Sequence, residues 1–306
     1  MSGSKNRETL KNNPKVKQHK LLKTPGSIYA WPMGIWFTVY FVFPLLIIVI
    51  YSFLKRGLYG GVTWEFSLEA YKQIFNPNYG IILLRTLNIS LISTLITIII
   101  ALPCGYAIAR SRHQTFFLIL IIIPFWTNSL IRIFAWMSIL SNDGIVNSLL
   151  LQLGLIKEPL QLLYNQNAVI LVSVYMYLPY AILPIFTTID KFDFSLLEAS
   201  RDLGTTKLGS MIKVLLPNIK SGIVTAIIFT FIPIFGAYTV PLLVGGKDSY
   251  MLGNIIVDQV NKTRNWPLAS AFSMIITIIS MVGVLWMLQS NKKDSQLNNL
   301  SKRMGE

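Results

Sequence analysis

Of the 306 residues, 53% are hydrophobic and 13% charged. That is about half the charged share of a soluble globular domain and leaves more apolar surface than a water-soluble core can hide. The net charge of +14 invites a nucleic-acid partner, but the basic residues gather in tails and in loops on one side of a set of apolar stretches, which argues against one.

Residues 1–23 are polar and basic without apolar periodicity, which reads as a disordered or membrane-surface tail. No cleavable secretion signal is expected, because this tail precedes an apolar run long enough to span a bilayer. Uncharged stretches then cover 24–54, 86–109, 114–131, 159–189, 221–246 and 265–291, each reaching the roughly 18 residues a transmembrane helix needs. They predict six spans at about 32–54, 82–109, 115–140, 167–189, 221–245 and 267–289. Within hydrocarbon every backbone group must be paired internally, so the expected fold is an all-α integral membrane protein. A permease domain over 24–291 is followed by a C-terminal tail, 292–306. The lone Cys104 lies inside the second span, can form no internal disulfide, and reads as a packing thiol.

Charge sets the orientation. The N-terminal tail carries Lys5, Arg7, Lys11, Lys15, Lys17, Lys20 and Lys23, and the far end Lys292, Lys293, Lys302 and Arg303. With an even number of spans both tails share a side with Arg110, Arg112, Lys191, Arg201, Lys207, Lys213 and Lys220. The opposite loops hold only Lys55, Arg56, Lys72, Lys157, Lys247, Lys262 and Arg264. The excess predicts that both termini face the cytoplasm of a multi-pass protein. Pro124, Pro179, Pro184, Pro233, Gly236 and Pro241 interrupt the third to fifth spans; such breaks kink helices and in transporters often mark the pathway.

The connection between the fourth and fifth spans, residues 190–220, is the one long cytoplasmic loop. Ser195 and Glu198 have capping-box spacing, which predicts a helix starting near Leu196. Gly204 can end it in a left-handed conformation. Thr205 or Thr206 can then cap a second helix running through Met211 and Val214 to Leu216, limited by Pro217.

The run Glu198-Ala199-Ser200-Arg201-Asp202-Leu203-Gly204, followed by Val214-Leu215-Leu216-Pro217, resembles the cytoplasmic signature of binding-protein-dependent ABC importer permeases. In that family the pattern is Glu-Ala-Ala, three residues of any kind, Gly, nine more, then Ile, any residue, Leu and Pro. Ser200 and Val214 stand where it has Ala and Ile. Residues 123–132, Tyr177-Leu178-Pro179-Tyr180, and Gly253-Asn254-Ile255-Ile256 with Asn265-Trp266-Pro267 resemble segments of B-type permeases of spermidine/putrescine importers. The resemblance implies a type I (MetI-like) permease fold in a bacterial inner membrane, and a coupling role for Glu198, Ala199, Ser200, Gly204, Val214, Leu216 and Pro217. It also implies the partners: an ABC ATPase dimer, a second, C-type permease and an extracytoplasmic polyamine-binding protein. The cargo follows from the resemblance alone. A permease for another small solute, or an ion-coupled secondary carrier, are the competing readings; the carrier would leave the Glu198–Pro217 element unexplained.

Candidate pathway residues are read from the residues themselves. The spans hold essentially no Asp or Glu, so a cationic cargo has aromatic faces in place of deep counter-ions. Trp126, Tyr175, Tyr177, Tyr180 and Tyr238 are the candidates, with Asn128 one helical turn before Arg132 on a polar stripe. Arg132 is an intramembrane charge unsuited to hold a cation, and it reads as structural or gating, with snorkelling to the interface as the plainer alternative. Asp143 and Asp258 lie on the external side, where they can attract a cation or dock a binding protein. Gly245-Gly246-Lys247 lacks the remaining elements of a phosphate loop, so ATP must be bound by another chain. No catalytic constellation, metal-ligand cluster or cofactor motif is visible in the sequence.

Overall fold

The structure is a computed structural model that describes residues 25–304, with side chains over residues 31–289. The tail expected over 1–23 and the side chains of 292–306 lie outside the described residues. Residues up to Ile50 form one unit and those from Tyr51 onward a second.

The first unit is a single path of helix. α1 (Pro25–Phe37) passes through one wide turn, Thr38–Val42, into α2 (Phe43–Ser52), and the stretch from Trp31 to Ser52 is long and apolar enough to cross a membrane. Its expected end at residue 54 comes two residues early, because Leu54 enters a strand. β1 (Leu54–Arg56) and β2 (Val62–Phe66) pair antiparallel, an element absent from the all-helical expectation. The turn between them needs Gly60 and Gly61 at positive φ, and so short a strand carries no alternation for sequence reading to find.

After α3 (Glu69–Ile74), α4 (Pro77–Ala109) begins five residues before the expected second span. Asn76 caps it, accepting from the Asn78 N–H, and Pro77 occupies the first turn, where its missing N–H costs nothing. The third span is not continuous. α5 (Gln114–Ile122) tightens into a 3-10 turn at Ile123–Trp126 and then bends by 93° into α6 (Ser129–Leu140), which continues to α7 (Ile145–Gln152). Pro124 starts the disruption, Thr127 is extended, and the Asn128 side chain accepts the Leu130 N–H at 2.8 Å to open a new helix.

α8 (Gln166–Asp190) matches the fourth span and is the central element. α9 (Ser195–Asp202), α10 (Lys207–Ser210) and α11 (Leu216–Asn218) lie in the loop that follows. The fifth span, expected over 221–245 with interruptions at Pro233, Gly236 and Pro241, breaks at the glycine: α12 (Lys220–Phe235) stops at Gly236, and α13 (Thr239–Val244) restarts after Tyr238. α14 (Leu252–Asn261) leads to α15 (Trp266–Met304), which runs on past the expected end of the sixth span. Among the described residues four helical stretches are long and apolar enough to cross a membrane, and six if each of two bent pairs counts as one span.

Two clusters share α8. Its C-terminal half, with Ala181, Ile182, Ile185 and Ile189, packs against Ile98, Ala101 and Ile108 of α4 and Ala226 of α12. Its N-terminal half, with Val169, Val172 and Met176, packs against Ile133 and Leu140 of α6 and Val240 and Val244 of α13. Both helices that follow a break therefore fold back onto the same half of α8. A third cluster joins Phe235, Leu252, Ile255, Leu268 and Phe272.

In lipid, helix association depends on close packing at small residues rather than on hydrophobic exclusion. Gly222 of α12 is such a contact: a Cβ there would lie 2.9 Å from the Pro184 carbonyl oxygen of α8. That carbonyl already accepts from the Thr187 and Thr188 hydroxyls, which cluster where Pro184 interrupts the helix. Gly222→Val should therefore push α12 off α8 and destabilise the protein by about 1–3 kcal/mol, the usual range for overpacking. Gly283→Val, which meets open space, should leave the midpoint nearly unchanged, and thermal unfolding of both variants in one detergent checks this.

Candidate functional site

The loop over 190–220 is anchored at one face and open at the other. Leu197 of α9, Leu215 and Ile219 are buried in the same cluster as α4, α8 and α12. Tyr106 meets Phe194 edge-on at 6.2 Å, and the Arg110 guanidinium lies 4.9 Å over the Phe194 ring. Gln114 Nε2 donates both to the Ala109 carbonyl and to Asp190 Oδ1, at 3.0 and 3.1 Å, tying the start of the loop to the turn between α4 and α5. On the outer side Glu198, Ala199 and Gly204 are exposed, as are Leu203, Leu208 and Ile212, an apolar set that sequence reading passed over. Ser200, Val214 and Leu216 are half-buried and Pro217 is exposed.

The expected capping box does not form. The Ser195 hydroxyl and backbone N–H both turn to the Asp193 carboxylate, the N–H at 3.0 Å, and these bonds hold the Asp193 carboxyl below its ordinary value. An aspartate two residues ahead out-competes a glutamate three residues behind, because its short side chain closes a local turn without ordering a long one. The stop signal is as expected. Gly204 has φ +89°, its N–H donates to the Arg201 carbonyl at 2.8 Å, and the Thr205 N–H reaches back to the Ser200 carbonyl at 3.2 Å, a Schellman ending. Of the two possible caps, Thr206 is the one used, its Oγ1 accepting from the Gly209 N–H. The second helix is less regular than expected. After α10 the chain widens through Met211–Leu215, Pro217 sits in the first turn of α11 rather than ending a helix, and the 72° bend to α12 falls at Ile219.

The pathway candidates divide. Tyr175 meets Trp136 edge-on at 5.4 Å and Phe125 at 6.1 Å, and Tyr177 meets Tyr180 at 6.0 Å. The Arg132 guanidinium lies 4.3 Å over the Phe125 ring, with Nε and Nη1 shielded and without a hydrogen-bond partner among the described residues. It packs on an aromatic face with part of its guanidinium shielded. Trp126 stands apart at the first break with 84% of its surface exposed, and Asn128 is committed to capping α6.

Tyr238 marks the second break. Its carbonyl accepts from Asn254 Nδ2 at 3.1 Å, and Asn254 Oδ1 accepts from the Met251 N–H at 3.1 Å. Asn254, 3% exposed, thus ties the segment before α14 to the second break, where the Tyr238 carbonyl also accepts from the Leu242 N–H at 2.9 Å. Only its place in the Gly253-Asn254 run hinted at this. Asp143 is exposed. Asp258 is engaged: partial burial opposes its charge, but Lys262 at 2.8 Å and the Tyr250 hydroxyl prevail and hold its carboxyl below the ordinary value. Burial and this bond push the Tyr250 hydroxyl up.

Residues 79–292 match the sequence profile of binding-protein-dependent transport system inner membrane components. The chain belongs to that family. The match makes this chain a transport permease component and places it in an inner membrane; its fold is that of ABC importer permeases. Among relatives, it is 36% identical over 255 residues to the spermidine/putrescine transport system permease protein PotB of Escherichia coli (strain K12), covering 82% of this chain and 93% of that protein. It is 33% identical over 282 residues to the protein of the same name from Haemophilus influenzae, covering 91% and 96%. In fold it matches a chain of a bacterial ABC transporter involved in import of the acidic polysaccharide alginate, with a TM-score of 0.72 at 16% identity, covering 89% of this chain and 97% of that one. A second structure of a bacterial alginate ABC transporter, in complex with an alginate pentasaccharide-bound periplasmic protein, matches with a TM-score of 0.70 at 16% identity, covering 87% of this chain and 94% of that one.

Replacing Asn254 with Leu keeps its approximate volume but strands the Met251 N–H, at about 1–3 kcal/mol for a group left unpaired, and leaves the Tyr238 carbonyl with the Leu242 N–H alone. The expected outcome is a permease that inserts but unfolds at lower temperature, with faster proteolysis around residues 236–251. An unchanged melting midpoint and cleavage pattern would show that the break is held by other contacts.

Proposed function

We propose that the chain is the membrane-spanning permease subunit of a polyamine importer, moving spermidine or putrescine inward on ATP hydrolysed by partner chains. The observation that carries the coupling half is the two-sided loop over 190–220: Leu197 is buried with α4, α8 and α12, while Glu198, Ala199, Leu203, Gly204 and Leu208 face outward. A partner that grips the outer face moves the helices to which Leu197 is packed. The ATPase dimer supplies that grip, with Leu203 and Leu208 as apolar contacts and Glu198 as the charged one. The excess of basic residues on this side supports a cytoplasmic loop and cytoplasmic termini. A C-type permease completes the translocation path, and an extracytoplasmic binding protein delivers the cargo. The names and identities of the relatives support the polyamine assignment.

Along the pathway the cation passes aromatic faces in place of carboxylates. Trp126 at the first break, Tyr238 at the second and Tyr180 on α8 are the exposed members, and Tyr175 and Tyr177 lie half-buried on α8. Each cation contact contributes about 0.5–2 kcal/mol, according to how far the site excludes water. Asn128 supplies a polar group at the first break, and Asp143 one beyond the other end of α6. Asp258, already bound to Lys262 and Tyr250, acts on the outer surface rather than on the cargo.

The coupling test compares four variants in matched membrane amounts. Gly204→Val forces a β-branched residue into a left-handed backbone and should misalign the loop and sharply reduce transport-linked ATP hydrolysis. Leu203→Asp and Leu208→Asp should weaken ATPase recovery without loss of insertion. Glu198→Ala removes no cap, so its smaller effect should appear in ATPase association and not in stability. Normal ATP-driven uptake by Gly204→Val would overturn the coupling assignment. For the cargo, Trp126→Leu and Tyr238→Leu should lower spermidine and putrescine uptake while the ATPase still co-purifies. Stimulation of the reconstituted transporter only by another solute's binding protein would keep the coupling and overturn the polyamine.

A further inference from the structure

The segment between the first two spans carries a set of large apolar side chains that nothing among the described residues covers. Tyr59 is 92% exposed, Trp64 81%, Phe66 75% and Phe75 87%, with Leu58 beside Tyr59 at the hairpin tip. We propose that the β1–β2 hairpin and the end of α3 form an interfacial anchor that seats Tyr59, Trp64 and Phe66 among the headgroups of surrounding phospholipids.

Depth is the first argument. The hairpin opens two residues after the first span ends at Ser52, and Phe75 stands two residues before α4 begins at Pro77. The hairpin is also bolted to the start of the sixth span: Arg56 Nη2 donates to the Thr263 carbonyl at 2.7 Å, and the Gly61 N–H to the Arg264 carbonyl at 2.9 Å. Trp266, which begins that span, stacks on Tyr51 at 6.1 Å. The exposed rings are thus held where spans leave the hydrocarbon, the layer in which Trp and Tyr bury an apolar body while keeping a polar edge wet.

Shape and charge are the second. Trp64 and Phe66 are two apart in β2 and so share one face of the strand. Phe53 supports that end of the hairpin, stacked 6.1 Å from Phe66 and 5.2 Å from Tyr71. Glu65 is neutralised by Lys55 at 3.0 Å, which removes an acid that would repel phosphate. Arg56, Lys72 and Arg264 leave the surroundings basic, as a surface facing anionic headgroups requires. The inference concerns the end of the spans and holds whichever side of the membrane that end faces.

The test uses the assembled transporter in nanodiscs of phosphatidylethanolamine and phosphatidylglycerol. In a Cys104→Ser background, Tyr59→Cys and Trp64→Cys are each labelled with an environment-sensitive fluorophore. Lipid carrying a doxyl quencher just below the headgroup is then included. At both positions the expected result is blue-shifted emission that loses about half its intensity to the shallow quencher and less to one at the chain end, as an interfacial depth demands. Water-like emission without quenching would overturn the proposal. So would a blue shift that the lipid quencher leaves untouched, or one that arises only when the binding protein is added, since either would mean that another protein covers the hairpin.

Discussion

A peptide group inside a bilayer has no water to turn to, and this one constraint governs how the chain can be broken. Two of its spans are interrupted, and side chains bond backbone groups beside each interruption. At the first break the Thr127 hydroxyl donates to the Pro124 carbonyl and Asn128 accepts from the Leu130 N–H. At the second, Asn254 reaches from a separate helix to the Tyr238 carbonyl, which also accepts from the Leu242 N–H. The helices that follow the breaks, α6 and α13, return onto the N-terminal half of α8, while Trp126, Thr127, Asn128, Gly236 and Tyr238 at the breaks themselves are exposed on this chain.

That arrangement divides α8 by task. Toward its N-terminus it is surrounded by broken helices and aromatic rings, where backbone can line a path. Toward its C-terminus it is locked to α4 and α12 through small residues and continuous aliphatic contact, and this half receives Leu197 from the loop over 190–220. In the coupling proposed above, this packed block separates the surface where a partner would grip from the region of broken helices.

Where a signal is local, the sequence announces it. Gly204 and Thr206 act within four residues of themselves, and both behave as their chemistry requires. The six apolar stretches likewise fall on helices at nearly the expected places, four as single helices and two as bent pairs, since length and the absence of charge suffice to define them. The errors have a common origin in competition or distance. Ser195 had two acids within reach, and spacing rules could not say that Asp193 would win. The second break depends on Asn254, sixteen residues beyond Tyr238, and the hairpin depends on Thr263 and Arg264 some two hundred residues on. Lys55 and Arg56, awkward for the charge rule, prove to be fastened to Glu65 and to the Thr263 carbonyl.

The burial of Leu197 bears on how such permeases can be recombined. A loop that touched the body only at its ends could be exchanged between transporters as a cassette, taking partner preference with it. Here the inward face of α9 is shaped to Ile108, Ile189, Leu215 and Ile219, so a graft of the exposed residues alone inherits a foreign socket. Under the proposed coupling the smallest transplantable unit is the loop together with the adjoining ends of α4, α8 and α12, and chimaeras cut inside that boundary would assemble with a new partner yet transmit little of its motion.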